Sequence, residues 1–233
     1  MTDADALREH LAVPEDERGA KWRHRFYDLA ETAKLKKRDP RTFLGPDGFP
    51  YFALDFPEAG EEGDVSVGDL VDLATARGFG IAIEPDRDVA AWVFTCGDLV
   101  TRRAFGGYEF PRIGVVPAET PTFRAVLKET QRMEILAPDE AMLPRYVRPL
   151  LYQYFTRNLG IAEPGVLALV SPDQEPREQL VFRIGRDDFD DEEEFESAIA
   201  GLTWFLPRHL VVSILPGDVI DALSEAFVPL AAA

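Results

Sequence analysis

The chain has 233 residues, and its 42 acidic side chains against 25 basic ones leave a formal net charge of −17. This excess of negative charge repels nucleic acid and anionic membrane surfaces, so neither is an expected partner. The sequence has one cysteine and lacks the run of about 18 apolar residues that a membrane span needs, so we expect no internal disulfide, no membrane span and a cytoplasmic setting.

The first 41 residues are predicted to be helical. Residues 15–38 place apolar side chains on one stripe at helical spacing. The stripe consists of Trp22, Phe26, Leu29, Ala30 and Ala33. Asp39-Pro40 is expected to end this helix, because a residue that precedes proline disfavours the α region.

A basic patch follows at the predicted C-terminal end of this helix, formed by Lys34, Lys36, Lys37, Arg38 and Arg41. Cations are favoured there by the helix dipole. Two other interpretations stay open. In the first, the patch is a nucleic-acid site. In the second, it pairs with an acidic block of the same chain or of a second copy.

The next region, residues 42–137, alternates predicted strands and helices. The strands are 49–56, 79–84 and 90–94, with helices that begin after Ser66 and Thr95. Pro50 predicts an edge position for the first strand, and the other two strands form an antiparallel hairpin. Each helix start has a hydroxyl followed three residues later by aspartate, the pattern of a capping box.

The last third gives the clearest order of elements. A helix is predicted from Thr120-Pro121, and a helical region interrupted by prolines begins at Pro138-Asp139. The predicted elements after these are strands 165–170 and 178–184, helix 191–206, strand 209–215 and helix 218–227. Strand 209–215 has little polar interruption and is predicted to be central in its sheet.

These elements predict an α+β fold of mixed or antiparallel sheets covered by helices, with an N-terminal helical segment and a C-terminal β-β-α-β-α unit. The predicted domains are 1–41, 42–137 and 138–233, or one compact domain formed by the last two. The excess of arginine over lysine, with abundant alanine and proline, indicates a bacterial source.

The negative charge is concentrated in two blocks. Residues 42–90 hold 11 acids against 2 bases, and residues 171–200 hold 11 acids against 3 bases. These blocks account for the whole excess, and the rest of the chain sums to zero. Concentrated negative charge attracts cationic partners.

The second block contains an acidic cluster: Asp187, Asp188, Asp190, Asp191, Glu192, Glu193, Glu194 and Glu196. A calcium-binding loop is excluded, because the required glycine and glutamate positions hold Glu193 and Ile199. One interpretation is that the acids open helix 191–206, where its dipole favours negative charge. The other is binding to a basic partner, for which the predicted binding residues are Asp187, Asp188, Asp190, Asp191, Glu192 and Glu193.

No catalytic residue is predicted outright; Cys96 and Asp98 are the candidates, and the other interpretation of Cys96 is a structural thiol at a strand end. A helix N-terminus lowers a thiol pKa, although a carboxylate two residues away opposes this effect. The three histidines, His10, His24 and His209, are too dispersed to suggest a zinc site, and no metal or cofactor is expected.

No motif names a reaction or a family. The principal hypothesis is therefore a non-catalytic module that binds a basic protein through an acidic surface. The first alternative is a small enzyme with its site at the Thr95–Asp98 turn. The second is a structural protein that forms a homo-oligomer, with Trp92, Trp204 or Tyr154 in the interface.

Overall fold

The computed structural model describes residues 2–86, 89–109, 133–171 and 177–230. The chain divides into two compact units, Met1–Tyr108 and Glu109–Ala233. Within the described residues there are seven α-helices and two mixed sheets, of four and five strands. This confirms the α+β class. The domain boundaries drawn from the sequence stay a prediction.

The first unit contains four helices and a four-stranded sheet of order β1-β2-β3-β4. Its elements are α1 (Asp3–Leu11), α2 (Ala20–Thr32), β1 (Lys36–Leu44), β2 (Pro50–Asp55), α3 (Val67–Arg77), β3 (Gly80–Ile83), β4 (Trp92–Phe94) and α4 (Cys96–Phe105). Strands β1 and β2 are antiparallel, β2 and β3 are parallel, and β3 and β4 form the predicted antiparallel pair.

The prediction that the first 41 residues are helical was wrong at its end. Helix α2 stops at Thr32, and Lys36–Leu44 is the edge strand β1. Lysine and arginine are good helix formers, but pairing with β2 and with nearby carboxylates overrides that local preference. The register shifts between Lys37 and Thr42, which accommodates Pro40 at an irregularity of an edge strand.

The predicted edge position of the strand with Pro50 was also wrong. Strand β2 lies between β1 and β3, and its central residues are buried. Pro50 is tolerated because it is the first residue of the strand, opposite Leu44 at the end of the ladder.

Aromatic rings form the core of the first unit beneath its helices. Phe26 of α2 is fully buried, and its ring lies 4.2 Å from that of Trp92 and 5.7 Å from that of Phe94. Trp22 stacks on Phe26 at 5.3 Å. The predicted apolar stripe of α2 therefore faces the sheet, and burial of such large rings is a major source of stability.

The second unit contains three helices and five strands among its described residues. Its elements are β5 (Glu134–Leu136), α5 (Arg148–Gln153), β6 (Gly165–Val170), β7 (Glu178–Phe182), α6 (Glu192–Phe205), β8 (Val211–Val212), α7 (Gly217–Ala222) and β9 (Val228–Pro229). The sheet order is β5-β6-β7-β8, and β9 also pairs with β6. The helix predicted from Thr120-Pro121 lies outside the described residues.

The strand predicted to be central, 209–215, is instead short and lies at the edge. Strand β8 spans two half-buried residues and pairs with β7 in parallel. The apolar run contributes to the core instead, since Leu215 packs in a buried cluster with Val181 and Ile220. The helical region predicted from Pro138 is helical only from Arg148, where α5 begins and then continues as a π-helical turn at Tyr154–Asn158; residues 138–147 form turns.

No helix within the described ranges is both long and apolar enough to cross a membrane.

Candidate functional site

More than half of the carboxylates of the 42–90 acidic block are paired with cations within the first unit. Six of its carboxylates form ion pairs with cations, most of which belong to the basic patch. The pairs are Lys34–Asp69, Lys36–Glu61 at 2.7 Å, Lys37–Asp64 at 3.3 Å, Arg38–Asp55 at 2.8 Å, Arg38–Asp86 at 2.6 Å and Arg103–Asp72 at 3.0 Å. The interpretation that the patch pairs with an acidic block of the same chain is confirmed.

Arg38 makes the best-formed of these pairs. Its Nε and Nη2 donate to the two carboxylate oxygens of Asp55, at 2.8 and 3.0 Å. The side chains are only 25% and 32% exposed, and the two parallel bonds fix both groups. Asp86 accepts from Nη1 of the same guanidinium group. One half-buried arginine therefore neutralises part of the charge of two acids.

The Asp69 carboxylate contacts both a lysine and the N-cap residue of its own helix. Lys34 and the amide of Ser66 donate to the Asp69 carboxylate, and these contacts lower its pKa to about 2. The Ser66 hydroxyl accepts from the Asp69 amide, which completes the predicted capping box of α3. Lowering this pKa stabilises the charged form in the folded unit.

The acidic cluster lies between β7 and α6 of the second unit. The chain leaves β7 through buried Ile184, makes a short 3₁₀ turn at Arg186–Asp188 and enters α6 after Asp191. Phe189 and Phe195 are partly buried and their rings lie 5.5 Å apart. All eight acids of the cluster are exposed. We call this set, 187–196, the acidic surface.

Part of the acidic surface serves the local structure. Asp191 is the N-cap of α6 and accepts from the Glu194 amide at 2.8 Å. Glu194 in turn accepts from the Asp190 amide at 3.1 Å, and Asp188 accepts from the Gly185 amide at 2.7 Å. The bonds of Asp191 and Glu194 satisfy free donors at the start of α6, so the helix-opening interpretation is confirmed for these two residues, whereas Asp188 caps the preceding 3₁₀ turn.

Four carboxylates of the acidic surface make no such contacts. Glu192 pairs with Arg186 at 2.7 Å, and it is the one acid of this surface with an ion pair among the described residues. The side chains that have neither a hydrogen bond nor an ion pair, over the same part of the chain, are those of Asp187, Asp190, Glu193 and Glu196. Their charges are therefore open to a partner.

Helix α7 extends this negative region, which sequence reasoning missed. A Cβ atom placed on Gly217 would lie 3.3 Å from the Asp187 carboxylate, so the start of α7 borders the acidic surface. Asp218 and Asp221 of α7 are exposed. Their separation from the cluster along the chain hid this proximity.

The candidate catalytic turn is a helix cap around a buried thiol. The Asp98 carboxylate accepts from the Thr95 amide at 2.8 Å and from its hydroxyl at 2.9 Å, which completes the predicted capping box of α4. Cys96 is fully buried, and burial, together with the Asp98 charge, raises the pKa of its thiol to about 12. A thiol with this pKa is a poor nucleophile near neutral pH, so the geometry lends no support to the enzyme alternative.

Over the described residues, no group of three or more histidine, cysteine, aspartate or glutamate side chains is arranged to hold a metal ion. Comparisons with protein families, curated proteins and solved structures give no match for this chain. The acidic surface is therefore the candidate functional site of this chain.

Proposed function

We propose that this chain is a non-catalytic cytoplasmic module that binds a basic protein through the acidic surface. The observation that carries the proposal is the contrast between the two acidic blocks. In the first block six of the eleven acids pair with cations of their own unit, whereas the second block leaves Asp187, Asp190, Glu193 and Glu196 exposed without ion pairs among the described residues.

The chemistry of the partner follows from the charge. A surface of exposed carboxylates speeds encounter with a lysine- or arginine-rich protein and rejects acidic ones. The same field opposes the phosphate backbone of nucleic acid. The one cysteine cannot form an internal disulfide, which supports a reducing cytoplasm as the setting.

The test is binding of a fluorescent oligolysine peptide, measured by anisotropy at low and high salt. A variant neutralises the four unpaired acids with isosteric amides: Asp187→Asn, Asp190→Asn, Glu193→Gln and Glu196→Gln. Because each surface pair contributes about 0.2–1 kcal/mol, the loss of four is expected to weaken binding at least about fourfold at low salt. The difference is expected to shrink as salt screens the charges.

A matched control changes the net charge by the same amount in the first unit. Its substitutions fall at exposed acids without side-chain hydrogen bonds or ion pairs to the described residues: Glu9→Gln, Asp16→Asn, Glu17→Gln and Glu62→Gln. We expect this control to weaken binding far less than the first variant. Equal losses in the two variants would show that net charge, and not the acidic surface, attracts the peptide.

A further inference from the structure

A surface depression of about 530 Å³ lies in the first unit, and its lining contains no residue of the acidic surface. It lies between the chain that follows α1 and the segment that leads into β4. Its lining combines two arginines, Arg8 and Arg18, with two glutamates and several apolar side chains. Its volume falls in the range of about 300–1,000 Å³ that small-molecule sites occupy.

Arg18 presents a fixed cation to this depression. Its Nε donates to the Val13 carbonyl and its Nη2 to the Leu11 carbonyl, both at 2.9 Å. The guanidinium carbon also lies 4.7 Å from the centre of the Trp22 ring. The side chain is only 16% exposed, so its orientation is already set before any ligand arrives.

The close partners of Arg18 are neutral. Its one ion pair among the described residues is with Glu15, at 3.9 Å from Nη1, and the Glu15 side chain is 86% exposed. An exposed carboxylate at that distance compensates a half-buried cation weakly. Nη1 therefore retains donors that a better-placed anion can use.

Arg8 supplies a second cation to the same depression. Its Nη2 donates to the Pro57 carbonyl at 2.9 Å, and its guanidinium carbon lies 4.8 Å from the centre of the Phe56 ring. Its hydrogen-bond partner is again neutral. Two guanidinium groups, each positioned by a carbonyl and an aromatic ring, thus line one depression.

The rest of the lining restricts the kind of anion. The lining also contains Glu15 and Glu84, so its formal net charge is zero and a multiply charged phosphate ester gains no net attraction there. A single carboxylate that accepts hydrogen bonds from Arg18 depends less on the net charge. Leu11, Val13 and Ala91 add apolar surface, which favours a ligand with a hydrocarbon part.

We propose that this depression binds a small amphipathic monocarboxylate. Its carboxylate accepts hydrogen bonds from Arg18 Nη1 and is attracted by Arg8, while its hydrocarbon part contacts Val13 and Ala91. This site belongs to the first unit and uses none of the residues of the acidic surface. The proposal of this site is therefore independent of the proposed function.

The test is a titration of the ¹⁵N-labelled chain with octanoate, followed by amide chemical shifts. We expect saturable shifts concentrated at residues 11–18 and at Ala90 and Ala91. Octanol, which has the same tail without the charge, is expected to cause much weaker shifts at these amides, and so is dianionic octyl phosphate. Scattered or non-saturable shifts, or equal responses to octanol, would overturn the proposal.

Three variants separate this site from general attraction of an anion. Arg8→Gln removes one guanidinium and is expected to weaken octanoate binding at least about threefold, because the bound carboxylate loses one of the two cations that attract it. Ala90→Phe fills the depression without changing the charge and is expected to abolish binding. Arg25→Gln, at an exposed position of α2 outside the lining, is the charge-matched control and leaves binding unchanged. Equal affinity in Ala90→Phe and in the unsubstituted chain would contradict the proposed location.

Discussion

Replacing Arg38 with glutamine tests whether the basic strand is held by the first acidic block. Arg38 binds Asp55 through two hydrogen bonds, and both side chains are at most about one-third exposed. A hydrogen bond to a charged group contributes about 1.5–3 kcal/mol when buried, whereas an exposed ion pair contributes about 0.2–1 kcal/mol. The intermediate burial of this pair predicts a loss of about 1–2 kcal/mol for Arg38→Gln.

The assay is urea denaturation followed by tryptophan fluorescence, in a Trp204→Phe background so that Trp22 and Trp92 of the first unit report. Arg41→Gln is the control. Arg41 lies on the same strand, is exposed and has no side-chain partner among the described residues, so a change within about 0.5 kcal/mol is expected.

A double-mutant cycle with Asp55→Asn isolates the pair itself. We expect a coupling free energy of about 1 kcal/mol, reduced at high salt because part of the pair is open to solvent. The reasoning is refuted if Arg38→Gln costs no more than Arg41→Gln, or if the Arg38 and Asp55 substitutions are additive.

Three further predictions concern single groups. The pKa of Asp69 is lowered from 3.8 to about 2, so its stabilising contribution is complete above pH ~4 and is lost as the pH falls through ~2. Asp69→Asn is therefore expected to flatten the acid dependence of the unfolding free energy, and an unchanged slope between these values would contradict this. The buried thiol of Cys96 is expected to react with a disulfide reagent at pH 8 at least about 100-fold more slowly in the folded chain than in urea, and similar rates would show it to be accessible. Gly201→Ala would place a Cβ against the Tyr154 phenol, so it is expected to lower the unfolding free energy by about 1–3 kcal/mol. At a helix glycine without this contact, replacement by alanine would raise the unfolding free energy by up to about 1 kcal/mol. A rise in melting temperature would therefore contradict the close contact between position 201 and Tyr154.

Local chemistry made some elements predictable from the sequence. The hydroxyl-to-aspartate spacing located both capping boxes, because a cap depends on residues only three positions apart. Likewise, the helical spacing of Trp22, Phe26 and Leu29 located the buried face of α2.

Features that depend on distant partners were not predictable. Lys36 and Arg38 have helical propensity, and it is the strand β2 beside them, with Asp55 at its end, that makes them a strand. The edge position of β8 likewise depends on which strands pair, which a run of apolar residues does not encode.

The candidate site divides in the same way. The exposure of the acids and the role of Asp191 as a helix cap follow from the local sequence. The neutralisation of the first acidic block does not, because Arg103 and Asp72 meet only when α3 and α4 fold. Nor does the proximity of α7 to Asp187 follow from the local sequence.

The most direct test of the central claim is a map of the surface potential, obtained from the paramagnetic relaxation of amide protons by a cationic and by a neutral spin probe of similar size. The account predicts that the cationic probe is enriched at residues 187–196, and that enrichment is weak around Asp55, Glu61 and Asp69 because cations already neutralise them. Equal enrichment over the two acidic blocks, or none at 187–196, would contradict it.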